Sequence, residues 1–537
     1  MKSPEHEPSS GTGHARWHAF LVASGILFSR LAGLVRVRVF AYYFGSGWVA
    51  DALNAAFRIP NILQNLFGEG TLSASFIPVY AGLLARGEKE EAGRVAGAVA
   101  ALLMLATSLL VLIGVAATPW IIDAIVPGFT GHKRELCILL VRILFPGVGL
   151  LVWSAWCLGI LNSHGRFFLS YAAPVIWNLV IIVTTIVFGM IAGQESLSQW
   201  AAWGSVGGSV MQIIIQLPAV LRLLKGLRFS LNHRLENVRT VIRNFVPVFF
   251  SRGVMQISAY VDQILASFLA TGAVAALSYA QTLYTLPVSL FGMSVSAAEL
   301  PAMSKAVGSD EERAGYLRMR LNGGLRQIAF FIVPSAVGFF ALGDIIAAAV
   351  FQTGKFTHGD SIYVWSILAG SSVGLLASTM SRLYSSTFYA LRDTRTPLRY
   401  AILRVALTTA LGYLAALRLP GWIGIDTRWG ADGLTASAGF SGWIEFVLLR
   451  RSLNRRIGGS GLAVSYLAKL WLAAGAGAAA AWGVKLIIGP LHPIIRAASI
   501  LGPFGLLYFA LTLVMGLPEA QFIKRFIPFF TRNTTGR

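Results

Sequence analysis

Charge is scarce in this chain. Of 537 residues, 12% are Asp, Glu, Lys or Arg, about half the share of a soluble domain. Acids are scarcer still, at 23 Asp and Glu against 44 Lys and Arg. That deficit argues against a cavity built for a cation, which would be lined with carboxylates. There are two cysteines, Cys137 and Cys157, both inside apolar segments. They have no metal-ligand spacing and read as small buried hydrophobes. Catalytic signatures are missing too: no Walker loop, no GxGxxG with a following acid, no HExxH and no GxSxG elbow. The expectation is a protein that is not an enzyme, binds no cofactor or metal, and draws on the membrane potential or an ion gradient for any active transport. A short apolar core followed by a small-residue cleavage site is also absent, so the first helix is expected to be an uncleaved anchor.

What the chain has in abundance is apolar sequence, 55% of all residues with a mean hydropathy of +0.67. Over this length that pattern means an all-α polytopic membrane protein, because only helices and closed barrels satisfy their backbone inside lipid. A span needs about 20 mostly apolar residues. Fourteen candidates lie near 17–44, 48–82, 92–117, 134–162, 167–192, 197–224, 240–270, 273–304, 316–341, 360–390, 397–417, 429–450, 461–487 and 494–516. The second is interrupted at "FGEG" (67–70), and the fourth and seventh contain Pro146 and Pro247, where breaks are expected. The polar head, 1–16, reads as a disordered cytoplasmic tail and 517–537 as a second one.

The net charge of +21 sits in short loops between apolar runs. Alternate loops are rich in Arg and Lys, from Arg86, Lys89 and Arg94 through Arg222–Arg243 to Arg450–Arg456. The opposite loops carry little beyond Lys133, Arg134, Lys355, Arg418 and Arg428. This bias places both termini in the cytoplasm. It makes membrane lipids, not nucleic acid, the partners of most of the positive charge.

The chain also repeats itself at an offset of about 225 residues. "FSR" at 28–30 returns at 250–252. "IIDAIVPGFT" (121–130) echoes "IIAAAVFQTGKFT" (345–357). A repeat of six spans, an even number, gives two parallel lobes related by a pseudo-two-fold axis along the membrane normal. The expected organisation is an N-lobe at 17–228, a C-lobe at 239–456 and two extra helices at 461–516. Two lobes point to a transporter working by alternating access.

Three arginines interrupt the first apolar run, "FSRLAGLVRVRVFAYYFG" (28–45): Arg30, Arg36 and Arg38. Each costs roughly 2.5–3.5 kcal/mol at a bilayer centre on insertion scales. Arg38, close to the span's end, can snorkel. Arg30 and Arg36 are deeper, and either pair with a buried acid such as Asp51 or Glu69 or bind a ligand. The second span adds a polar stripe of Asn54, Arg58, Asn61 and Asn65, with Pro60 expected to bend it. The seventh repeats the theme with Arg252, Gln256, Tyr260, Asp262 and Gln263. Convergent arginines favour a phosphate-bearing ligand, because the guanidinium fork binds phosphate oxygens in pairs. Other features read as architecture: "WGSVGGS" (203–209) as close helix packing, His164 as a solvated loop residue, and Trp and Tyr near span ends as interfacial belts.

The stretch "FSRLAGLVRVRVFAYYFGSGWVADALNAAFRIPNILQNLFGEGTLSASFIPVY" (28–80) closely resembles the MurJ (MviN) lipid II flippases of the MOP exporter superfamily. "QISAYVDQILASFLATGAVAAL" (256–277) and "FQTGKFT" (351–357) are similar to the same family. The resemblance spans nearly the whole chain. It implies fourteen helices in two lobes around a cationic cavity. It also implies movement of the undecaprenyl-pyrophosphate-linked peptidoglycan precursor from the cytoplasmic to the periplasmic leaflet of a bacterial inner membrane. The family's arginines of the first span fall on Arg30 and Arg36, its acid opening the second on Asp51, and its "EG" turn on Glu69 and Gly70.

The chain departs from the family at Gln64, where members carry a basic residue. It departs again at Gln281, Thr282 and Thr285, in place of an Asp-Arg pair and a Glu. Arg252, with Arg58, is then expected to supply the missing charge. The expected substrate-binding set is therefore Arg30, Arg36, Arg58, Asn61 and Arg252. Asp51, Pro60, Glu69, Gly70 and Asp262 are expected to have gating or structural roles. The alternatives are export of another polyprenyl-pyrophosphate glycan, a MATE-like multidrug or cation antiporter, and a scaffold recruiting cell-wall synthesis enzymes.

Overall fold

Every long apolar run becomes a helix in the computed structural model, which describes the backbone of residues 11–67 and 69–521. The side chains of Pro60, Glu69 and Arg252, and both chain ends, lie outside the described residues. Among those described there is no strand, as expected of an all-α membrane protein. Among the described residues, ten helices are long and apolar enough to cross a membrane. Four other expected spans, near 17–44, 48–82, 240–270 and 429–450, are helical as well. Their apolar signal is diluted by the charged and amide side chains noted above.

The chain divides into two units, 1–264 and 265–537. In the first, α1 (Gly11–Phe44) begins ahead of the apolar run that starts at residue 17, since a helix once nucleated extends cheaply into a polar flank. The second span is described in three pieces: α2 is Trp48–Phe67, α3 is Glu69–Ser75 and, after a turn at Phe76, α4 is Ile77–Ala85. The expected interruption at 67–70 centres on Gly68, which lies outside the described residues. The pieces α3 and α4 are held by a core in which Phe76 and Tyr80 stack at 5.3 Å and pack with Trp156 and Cys157. Both partners lie on α6 (Gly131–Ser163), and α5 (Lys89–Ile125) adds Val95, Ala96 and Val99 to the same core. The Trp156 indole donates to the Ala96 carbonyl at 3.2 Å, which ties α6 to α5. Helix α6 runs unbroken through Pro146, so the expected break is not there.

Two further helices complete the bundle, α7 (Phe167–Gly189) and α8 (Gln194–Leu223). They approach closely at the glycine-rich stretch. A Cβ on Gly204 would lie 2.9 Å from the Thr184 Cβ, and one on Gly208 would lie 2.9 Å from the Trp177 carbonyl oxygen. The packing role read from "WGSVGGS" is therefore correct. Helix α9 (Glu236–Ser267) is continuous across Pro247, again without a break.

The second unit holds α10 (Ala273–Pro287), which passes through a π-helical stretch at Val288–Met293 into α11 (Ser294–Ser304). It continues with α12 (Asp310–Phe351), α13 (His358–Ala390) and α14 (Arg395–Tyr413). Beyond a second π-helical stretch, Leu414–Arg418, lie α15 (Leu419–Ile423), α16 (Gly430–Ile457), α17 (Val464–Ile487) and α18 (Pro493–Val514). Helix α12 starts on a capping box in which the Ser309 hydroxyl and Glu312 exchange bonds with each other's backbone N–H.

Helix α12 kinks at Leu342 (φ −130°, ψ 15°). Two indoles use carbonyls just before the kink: Trp365 donates to Phe340 and Trp482 to Ala341, each at 2.9 Å. A kink with its polar groups satisfied is tolerable at membrane depth. The same region docks the C-terminal pair α17–α18. Lys485 reaches Asp344 at 2.7 Å, and Tyr466 donates to the Arg326 carbonyl at 3.2 Å.

Candidate functional site

Helix α1 carries Arg36 into the first unit, and its far end is anchored there. The Gln194 side-chain amide donates to the Tyr43 and Phe44 carbonyls at 3.0 and 3.3 Å, capping α1 from the start of α8. The Arg36 guanidinium meets three aromatic rings. Its carbon lies 4.9 Å from the Trp177 ring centre, 5.8 Å from Phe57 and 6.0 Å from Phe40. Phe40 and Phe57 meet edge to face at 5.6 Å. The Arg36 Nε and Nη1 atoms are buried without a hydrogen-bond partner. No carboxylate among the described residues pairs with it.

The platform is held from outside. Trp177 donates its Nε1–H to the Ser205 carbonyl at 3.0 Å, and Gly208 lets α8 close against its backbone. A small hollow lined by Phe57, Asn61, Trp177, Ser205 and the α6 surface at Gly147 and Leu151 shares two of the rings that meet the guanidinium. Arg36 and Asn61, named separately from the sequence, therefore share the walls Phe57 and Trp177. Arg30, two turns earlier on α1, is exposed.

Asp51 does not neutralise either arginine. Its side chain is 1% exposed and accepts from Lys133, at the start of α6, at 2.6 Å. The Lys133 ammonium also sits 4.0 Å from the Phe129 ring centre. The possible pairing of Arg30 or Arg36 with Asp51 is thus replaced by a link between the first turns of α2 and α6. Arg58, one turn before Asn61, is half-buried and lies 5.8 Å from the Tyr260 ring centre, while the Tyr260 hydroxyl donates to the Arg58 carbonyl at 2.9 Å. Asp262 is half-buried two residues further on. Gly70 lies in α3.

In the second unit, the positions where this chain departs from the family bond within their own helix. Gln281 donates to the Thr285 hydroxyl at 3.3 Å, Thr285 to the Gln281 carbonyl at 2.7 Å, and Thr282 to the Ser278 carbonyl at 2.9 Å. They place no charge there.

His164 corrects the reading of a solvated loop histidine. It follows the last residue of α6, is half-buried, and its Nε2 shares a hydrogen bond with the Tyr80 hydroxyl at 3.0 Å. Burial, with Lys89 nearby, lowers its pKa. Trp177 was missed altogether. The signal was its place at the middle of an apolar run, away from the ends where interfacial tryptophans sit. Cys137 and Cys157 are free and buried, as expected.

Comparison with known proteins agrees with this architecture. The family described as "Lipid II flippase MurJ" matches residues 40–496. A lipid II flippase MurJ of Burkholderia cenocepacia is 29% identical over 533 residues, covering 95% of this chain and 99% of that one. A probable lipid II flippase MurJ of Rhizobium tropici is 30% identical, covering 81% and 80%. Among solved structures, a lipid II flippase MurJ in an inward closed conformation superposes with a TM-score of 0.75 at 24% identity, over 92% of this chain and 98% of that one. An inward-facing MATE-family multidrug transporter of the MOP superfamily has the same fold, with a TM-score of 0.65 at 17% identity over 82% and 100%. With ten helices able to cross a membrane and a family match over most of its length, the chain is a multi-pass membrane protein of the MurJ lipid II flippase family.

Proposed function

We propose that this chain moves lipid II, the undecaprenyl-pyrophosphate-linked peptidoglycan precursor, from the cytoplasmic to the periplasmic leaflet of a bacterial inner membrane by alternating access. Family membership supports the substrate. The observation that carries the site is Arg36, whose charge is met by ring faces instead of a carboxylate and whose Nε–H and Nη1–H are unpaired. A buried guanidinium with open donors is an unsatisfied group, and a diphosphate supplies the charge-assisted acceptors it lacks. Arg30 meets the headgroup from the exposed side of the same helix. Asn61 and Arg58 on α2, with Arg252 on α9, extend the set.

A cation antiporter of the same fold is disfavoured by that chemistry, since Arg36 repels a cation and Asp51 is held by Lys133. The protein works as a transporter and not as a catalyst, with the membrane potential or an ion gradient as driver and both termini cytoplasmic. Complementation tests the reading. The chain should rescue growth of a strain depleted of its lipid II flippase, and Arg30→Ala and Arg36→Ala should each abolish rescue at normal membrane abundance. Rescue by both variants would remove the arginines from the mechanism. Failure of the unaltered chain, with flipping of another polyprenyl-pyrophosphate glycan in vesicles, would move the substrate.

A further inference from the structure

We propose that Trp177 is the positioning residue for Arg36: its ring face holds the guanidinium charged and correctly aimed, in the place a carboxylate would otherwise take. This rests on Arg36 being a headgroup ligand and adds to it the group that presents Arg36.

The geometry separates two jobs. The N–H bonds of a guanidinium lie in its plane, whereas ring faces are attracted to the plane's two sides. Trp177 at 4.9 Å, with Phe57 and Phe40 farther off, stabilises the cation without supplying an oxygen acceptor to its donors. The Nε and Nη1 atoms remain buried and unpaired. A carboxylate partner would occupy those donors, and an arriving diphosphate would then have to break a buried ion pair, a costly exchange. Trp177 itself is held by its Nε1–H bond to the Ser205 carbonyl and by α8 closing on its backbone at Gly208. Its ring also walls the hollow that Asn61 lines.

The test uses the full chain purified in detergent, with lipid II as the probe, and reads both binding affinity and flipping in vesicles. Trp177→Leu should weaken lipid II affinity by about thirtyfold, the scale of one desolvated cation–π contact. Trp177→Phe, which keeps a ring face but loses the Ser205 bond, should recover most of that loss. Site-specific fluorination of the Trp177 ring drains π density with little change of shape. Affinity should fall stepwise with each added fluorine, a response that a merely structural tryptophan would not give. In an Arg36→Ala background the fluorine series should go flat.

A fluorine series already flat with Arg36 present, or equal affinities for the Leu and Phe variants, overturns the role of Trp177 and leaves Arg36 as ligand intact. If Arg36→Ala binds lipid II as tightly as the unaltered chain, the underlying reading fails first. The fluorinated chains keep the test decisive should Trp177→Leu not fold.

Discussion

Replacing Lys133 with methionine removes a single charge from a place where the fold depends on it. The Lys133 Nζ and Asp51 Oδ2 are 2.6 Å apart, with the acid side chain 1% and the lysine 17% exposed. At an effective dielectric of about 20, two unit charges at that distance attract by roughly 6 kcal/mol before desolvation is counted. The net loss on breaking a buried pair is about 3–5 kcal/mol, because the remaining charge is left without its counter-ion. The lysine's partial exposure puts Lys133→Met at the lower end, about 3 kcal/mol. For a unit of this size each kcal/mol corresponds to roughly 2 °C, so the melting temperature in detergent should fall by about 6 °C. Fluorescence-detected size-exclusion chromatography after a heating series measures it. The double variant Asp51→Asn/Lys133→Met should melt above Lys133→Met alone, because the stranded charge is gone. A shift of the single variant within 1 °C, or strict additivity in the double, would refute the reasoning.

Four further outcomes follow. Arg252→Glu should abolish rescue of a flippase-depleted strain, whereas normal rescue would end the idea that Arg252 replaces the charge absent at Gln281, Thr282 and Thr285. Gly208→Leu drives a side chain into the Trp177 backbone and should cost roughly 1–3 kcal/mol by overpacking, read as a lower melting temperature; an unchanged one would mean that α7 and α8 yield freely. His132 donates toward Glu195 at 2.9 Å with Glu135 beside it, and those carboxylates raise its pKa. The link between α6 and α8 is then complete below the ordinary imidazole pKa and fades as pH rises through the raised value. Melting curves of the unaltered chain and His132→Gln should converge with rising pH, and a gap constant from acid to alkaline pH would contradict this. Although burial opposes it, hydrogen bonds from the Thr396 hydroxyl and backbone N–H, together with the Arg456 guanidinium, hold the Asp393 carboxyl at about 2. Asp393→Asn should therefore cost up to about 1 kcal/mol at neutral pH, the scale of one solvent-accessible ion pair. That difference should vanish as pH falls from the ordinary carboxylate range through about 2, and a difference that persists at low pH would rule out the charge as its cause.

The amino-acid order alone determined that this is a helical membrane protein, where its helices run, and that glycines 204–208 mark a close helix contact. Those properties are local. Hydropathy over about 20 residues decides whether a segment enters lipid, and a missing Cβ is visible one residue at a time. The same local view made Pro146 and Pro247 look like breaks, although both helices continue through them. Only the tertiary structure decided what surrounds each buried charge. Arg36 is met by rings from residues 40, 57 and 177, on three helices, and Asp51 by a lysine 82 positions away. Electrostatic stabilisation depends on distance in space and on the local dielectric, and neither is written in a residue's immediate neighbours. An arginine in an apolar run announces that something must receive it, and the packing of α1, α2 and α7 makes that receiver an aromatic platform with open donors beside it.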